Sequence, residues 1–241
     1  MKLLVVIPGF GEPHAPLKRA ILDHNIQLIR STFVGDITLR IFNYGEKKGF
    51  EYEHVQVEET VEKGVVGQFL YRFITSDYIE SEQYDYVMIL LDDIKLQNDV
   101  HVDTLIQFYN TYNYNIMSPS LTRTSKYEHE YMLSTQQPTI RCVNGLELFC
   151  YILNKESYIK YYSLLDEQSA WLWGIDLVLR HKGFKCGIVD CMTIHHYIKN
   201  ESYRPDLPDP HKEMRDNFVR FDVVKADMFA LIDDTIATDA V

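Results

Sequence analysis

Two adjacent carboxylates, Asp92 and Asp93, end the most apolar strand-like run of the chain, Tyr86-Val87-Met88-Ile89-Leu90-Leu91. A short continuous apolar run reads as a strand buried on both faces. Like charges at its mouth repel unless something neutralises them. A divalent cation such as Mn²⁺ or Mg²⁺ does so most simply, because hard cations take carboxylate oxygens. The plainer alternative is a pair that caps the next turn and faces water. A third carboxylate, Asp176, sits in Trp171-Leu172-Trp173-Gly174-Ile175-Asp176 near the start of a helix. The helix dipole there favours its ionised form, which suits a general base. An ordinary helix-start carboxylate is the other reading. His195 and His196 close a late strand and point to opposite faces, so only one can serve a site. His196 is the first candidate and His195 the second. A ligating imidazole must be neutral, so metal affinity should fall as pH drops through the histidine range.

The elements that must hold these residues alternate. Residues 2–7 read as a strand, 8–11 as the turn after it, 17–31 as an amphipathic helix and 37–42 as a second strand. Residues 46–63 are polar and irregular, with a short strand expected at 54–57. A helix is expected over 65–75, the central strand over 86–91 and a helix over 101–112. Strand-helix alternation of this kind means a mainly parallel sheet with helices on both faces. Ligands in such sheets bind outside the carboxyl ends of the strands. The segments 8–12, 43–46 and 92–93 all lie at such ends. The second half is less regular. A short strand at 116–119, a polar loop over 122–138 and strand character over 140–153 are expected, the last interrupted by Glu147. Helices follow at 156–165 and 175–181, the second closed by Gly183. A strand over 184–194, an extended tail marked by Pro205, Pro208 and Pro210, and a final helix over 214–232 complete the chain.

With 241 residues, 46% of them hydrophobic, the chain can bury a sizeable core. A formal net charge of −11 and the lack of any Lys/Arg cluster argue against a nucleic-acid partner. Cys142, Cys150, Cys186 and Cys191 form no CxxC pair and read as buried thiols in a reducing compartment. The apolar start is too short for a signal peptide, and no stretch approaches the ~18–20 apolar residues that span a bilayer. The expectation is a cytoplasmic protein with no integral membrane segment.

The order Leu91-Asp92-Asp93, then Trp-Leu-Trp-Gly-Ile-Asp176, then His195-His196 resembles glycosyltransferases of the GT-A fold. The resemblance spans residues 2–197. It implies a GT-A-like (Rossmann-like) α/β fold in a single domain over 1–197, with a nucleotide-binding half at 1–100 and an acceptor half at 101–197. Beyond the resemblance, residues 198–241 are expected to form a C-terminal extension packed on that domain. In this family a DxD-type motif binds a divalent metal and the diphosphate of the donor. An acid in a Trp-Gly-x-Asp-like segment is the base of inverting members, and a late histidine often completes the metal shell. Carried over, Asp93 and a histidine, His196 or His195, bind Mn²⁺ or Mg²⁺. Asp92 contacts the ribose, or the metal through water. Asp176 is the base. Independently of the resemblance, Glu147 is a carboxylate inside an apolar stretch that binds a sugar hydroxyl, serves as second-choice base, or simply faces water on an edge strand. Leu91 stands where many members carry the first Asp, which weakens the match.

The resemblance also places Pro8, Gly9, Phe10, Gly11, Asn43 and Tyr44 against the nucleotide, with Gln68 and Arg72 as further donor contacts. Gln68 and Arg72 share one helix face, which could equally be a solvated one. Trp171 and Trp173 offer aromatic faces for an acceptor sugar, although tryptophans are as often core residues. Lys199 and Arg204 could fold over the diphosphate as a lid. The implied activity is transfer of a sugar from a nucleoside-diphosphate sugar to an acceptor hydroxyl. A sugar nucleotidyltransferase and a non-catalytic nucleotide- or glycan-binding protein are the alternatives. The short Pro8-Gly9-Phe10-Gly11 lacks the Gly-rich Arg/Lys loop of the former.

Overall fold

The computed structural model describes residues 1–11, 14–127, 129–197 and 208–223, and the backbone of 235–237. Strands β1 (Lys2–Phe10), β2 (Asp36–Asn43) and β3 (Val55–Val61) run in parallel, with α1 (Ala15–Thr32) crossing between the first two. Helices α2 (Val66–Phe73) and α3 (Ser76–Ser81) lead back to β4 (Tyr86–Leu90), which pairs parallel with the other side of β1. The chain continues through β5 (Ile94–Leu96), α4 (Val102–Thr111), β6 (Ile116–Leu121) and β7 (Thr139–Val143). It then forms β8 (Cys150–Asn154), α5 (Lys155–Tyr162), α6 (Ile175–His181), β9 (Cys186–His196), α7 (Pro210–Phe221) and β10 (Thr235–Ala237). The strands make a ten-stranded sheet ordered β10-β7-β9-β6-β8-β4-β1-β2-β3, with β5 paired to β9.

Why this sheet forms is visible in β1 and β4. Leu3 to Val6 and Val87 to Leu90 are fully buried, as expected of strands covered on both faces. Helices α1 and α4 contact each other on one side. On the other, α5 ties down the α2–α3 connection, since Tyr158 Oη donates to the Ile74 carbonyl at 2.8 Å and Tyr162 Oη to that of Tyr71 at 2.9 Å. Strands β1, β2, β3, β4, β6 and β9 share one direction. Their carboxyl ends therefore meet at one edge, where residues 10–11, 43–44, 92–93, 121–122 and 196 gather. Strand β8 runs the other way, so its first residue, Cys150, opposite Leu90, belongs to the same edge. Among the described residues no helix is long and apolar enough to cross a membrane.

Several sequence expectations change. Residues 8–10 are not a turn, because β1 continues to Phe10 through a register shift after Ile7. The single strand expected over 140–153 is two strands, β7 and β8, joined by residues 144–149, so Glu147 lies in a connection. Strand β3 is longer than 54–57, and β5 and α3 were not anticipated. The buried stripe of α1 is Lys18, Ile21, Leu22, Asn25, Ile26 and Ile29, while the expected apolar residue Leu17 is exposed. The last helix begins at Pro210, not 214: Asp209 caps it by accepting from the His211 amide at 3.0 Å, and proline suits the first turn. Lys199, Arg204 and the helix expected beyond 223 lie outside the described residues.

Candidate functional site

At the shared edge Asp92 and Asp93 diverge. The Lys18 ammonium lies 2.9 Å from an Asp92 carboxylate oxygen, both side chains nearly buried. Burial pushes the Asp92 carboxyl up to about 7. Lys18 opposes this, the neighbouring Asp93 charge adds to it, and a hydrogen bond from the Gly11 backbone opposes it again. Asp92 thus already has a cation supplied by the chain.

Asp93 turns instead to His196, with Oδ2 and Nε2 3.2 Å apart. His196 Nδ1 is 2.8 Å from the Lys126 carbonyl, which only accepts, so Nδ1 carries the proton in the neutral ring. Neutral Nε2 then presents a lone pair to a carboxylate oxygen. Two acceptors face each other, and only a positive charge between them relieves the contact. A proton is one such charge. Burial works against the His196 imidazolium, but the Asp93 hydrogen bond and charge outweigh it and hold the pKa above the ordinary histidine value. A divalent cation is the alternative occupant. Among the described residues no group of three His, Cys, Asp or Glu could hold a metal. The pair fits a hard cation that takes two protein ligands and completes its shell with phosphate oxygens and water.

His195 points away. Its Nδ1 is 2.7 Å from Thr122 Oγ1, its ring meets Tyr197 edge-on at 4.4 Å, and it lies opposite Lys95 across β5 and β9. Burial and the neighbouring His196 and Lys95 charges lower its pKa. The structure groups His196, not His195, with Asp93.

Glu147 is buried and accepts a hydrogen bond from the His129 amide. It is close enough to raise the pKa of His196 on one side and of Tyr131 on the other. Asp176 occupies the first turn of α6 after Gly174, whose φ of +86° is the left-handed conformation that glycine tolerates. Burial pushes the Asp176 carboxyl up to about 6, against hydrogen bonds from the Leu177 and Gly174 backbone and its own amide. Tyr131 sits between the two acids, and both raise its pKa after burial. Its hydroxyl has no hydrogen-bond partner among the described residues. Asp176 therefore adjoins Tyr131 and Glu147 rather than Asp93.

The nucleotide-side candidates form a wall. The Tyr44 ring lies over Gly9 and Gly11; a Cβ on Gly9 would fall 2.1 Å from the Tyr44 hydroxyl. Pro8 and Phe10 are buried, and Phe10 meets Phe50 edge-on at 5.1 Å. Asn43 Nδ2 donates to Glu59 Oε1 at 2.8 Å, and the Glu59 carboxylate also accepts from the amides of Lys48, Gly49 and Phe50. Residues 48–50 are thus organised rather than irregular. On α2, Gln68 is half-buried, and Arg72 is exposed 3.8 Å from Glu62. The start of α2 touches the tryptophan loop, where the Gly67 amide donates to the Ala170 carbonyl at 2.6 Å.

Trp171 and Trp173 are engaged by α7 and the residues before it. Trp171 Nε1 donates to the Pro208 carbonyl at 2.7 Å, and Trp173 meets His211 edge-on at 5.0 Å. Glu213 holds this loop by accepting from the amides of Ala170 and Trp171 at 2.8 Å and of Leu172 at 3.1 Å. Sequence reasoning missed Lys18, Tyr131 and Glu213. Only Lys18 left a signal, since it falls in step with Leu22, Asn25 and Ile29 on the buried stripe of α1.

No family model matches this sequence, and no curated protein does. Solved structures do match. GalNAc-T7 with UDP, GalNAc and Mn²⁺ superposes with a TM-score of 0.60 at 12% identity, covering 91% of this chain and 47% of that one. TarS 1–349 of S. aureus with UDP-GlcNAc gives 0.56 at 8% identity, covering 92% of this chain and 65% of that one. The chain thus spans about half to two thirds of the length of these neighbours. At such identities the likeness is one of fold, and the fold is that of the GT-A type: a mixed α/β sheet, mostly parallel, flanked by helices.

Proposed function

We propose that this chain is a nucleotide-sugar-dependent glycosyltransferase. The Asp93–His196 pair carries the reading: two acceptors face each other at the ligand edge of a GT-A-type sheet and need a cation between them. Asp93 and His196 would hold Mn²⁺ or Mg²⁺. When bound, the ion neutralises charge that builds on the diphosphate as it leaves. The neighbours solved with UDP, or with UDP-GlcNAc, support a nucleoside-diphosphate sugar as donor.

The protein's own groups supply the rest. The glycines at the Gly9–Gly11 strand end let the Tyr44 ring lie against the backbone, and that ring would offer its other face to the nucleotide. Asp176 takes the proton of the acceptor hydroxyl as that oxygen bonds to the anomeric carbon and the sugar–phosphate bond breaks. An acid held near 6 is a better base than an ordinary aspartate and is still ionised at neutral pH. Direct displacement of this kind inverts the anomeric centre. Glu147, nearer His196, is the second candidate for the same step.

Leu91 and the Lys18–Asp92 ion pair favour one further reading, a nucleotide-binding protein of this fold without turnover. Isothermal titration against a panel of nucleotide sugars, with and without Mn²⁺, separates the readings. A transferase binds one of them more tightly with Mn²⁺ and hydrolyses it slowly. Tight binding without hydrolysis favours the binding protein. Nucleoside triphosphate turnover, or no binding at all, overturns the proposal.

A further inference from the structure

Lysine is among the residues least often buried, yet Lys18 is only 9% exposed. It stands in the first turn of α1, at the same edge as Asp93 and His196. An ammonium carries three donors. Asp92 Oδ2 pairs with its charge at 2.9 Å, and among the described residues no other oxygen takes up its donors. A buried cation with unused donors is costly unless something else takes them. The surroundings say what that partner is. The Gly11 backbone and the Asp93–His196 pair flank Asp92, so anything that fills this edge meets both the site for the metal and the ammonium.

We propose that Lys18 is a diphosphate-binding residue, a resident cation that gives its free donors to the phosphate oxygens of a nucleoside diphosphate. Asp92 orients that ammonium rather than ligating the metal. The inference rests on the glycosyltransferase reading and deepens it: recognition of the diphosphate has a part that needs no metal. One fixed cation and one exchangeable cation share the negative charge of the leaving group. Because the fixed one is carbon-tethered and already oriented by a carboxylate, it loses little freedom when the donor binds.

Titration in EDTA tests this with UDP, GDP, ADP, CDP and dTDP, each against its own nucleoside. The wild-type protein should bind one diphosphate at least about tenfold more tightly than the matching nucleoside, as one charge-assisted contact supplies. Lys18→Met should erase that preference and leave nucleoside binding unchanged, and Lys18→Arg should keep part of it. Asp92→Asn, which frees the ammonium, should keep or strengthen it, whereas loss of the preference there contradicts the role given to Asp92. Thermal unfolding checks the fold of each variant. If Lys18→Met is unstable, the double variant Lys18→Met/Asp92→Asn removes both charges and is read in its place. A folded variant without Lys18 that retains the wild-type preference overturns the inference. So does wild-type protein that binds a diphosphate only with Mn²⁺, which leaves the transferase reading standing. Wild-type protein that binds no nucleoside diphosphate under either condition overturns that reading instead.

Discussion

The two ends of the site handle charge in opposite ways. At the end formed by β1, β4 and β9, each carboxylate faces a basic group: Asp92 faces Lys18 at 2.9 Å and Asp93 faces His196 at 3.2 Å. At the end formed by residues 131, 147 and 176, two acids lie beside a tyrosine, and hydrogen bonds from the backbone steady Asp176. Such an arrangement makes a place for a polyanion and its counterion, because one cation, Lys18, is fixed there before the ligand arrives. A carboxylate whose basicity burial raises makes a place for a proton. A transferase needs both, one for the leaving group and one for the attacking hydroxyl.

Substitutions can break this contrast from either side. Asp176→Asn should cost most, lowering kcat by about 10²–10⁴-fold while donor KM and diphosphate affinity stay near wild type. An equal loss of donor affinity would show that Asp176 belongs to the other end. Glu147→Gln with a larger kcat loss than Asp176→Asn would move the base to Glu147. Asp93→Ala should lower Mn²⁺ affinity, read by titration, by about 100-fold, and leave metal-free nucleoside binding intact. Unchanged Mn²⁺ affinity would remove the metal from this pair.

A pH profile sharpens the comparison. Asp176 must be ionised to accept a proton, and burial holds its carboxyl up at about 6, so kcat should fall about tenfold per unit below pH 6 and level off above it. The sign follows from the raised value, because the proton stays on Asp176 to a higher pH than on an ordinary aspartate. A limb centred near the ordinary aspartate value would contradict the burial given to this residue. The smallest effect belongs to Tyr131→Phe. Its hydroxyl has no partner in the described protein, so removing it should leave the melting temperature unchanged or slightly higher. A marked fall would mean that another group holds it.

How legible this was depended on how local each signal is. The strand at 86–91, the helix at 175–181 and the start of β1 carry their own periodicity or apolar runs, and the edge they share follows from parallel alternation. That Asp93 and His196 lie side by side follows from the same edge, since both close strands that end there. What failed was non-local. The break between β7 and β8 is hidden inside one apolar stretch, and only the path across the sheet shows Glu147 to lie in a connection. Lys18 lies on the buried face of α1, where apolar periodicity alone does not place a lysine, while the apolar Leu17 is exposed. Glu213 acts on Trp171 from a helix whose start was set four residues too late. For the two tryptophans the sequence left an acceptor platform and core packing equally open, and in the fold both indoles meet the segment around α7.

The central claim is that one edge of the sheet holds a cation and a diphosphate together, and a crystal structure grown with Mn²⁺ and the preferred nucleoside diphosphate tests it most directly. The account predicts an anomalous manganese peak bound by Asp93 Oδ2 and His196 Nε2, with diphosphate oxygens completing its shell and the Lys18 ammonium within hydrogen-bond reach of them. Manganese or diphosphate bound elsewhere, with the Asp93–His196 contact undisturbed, would contradict it.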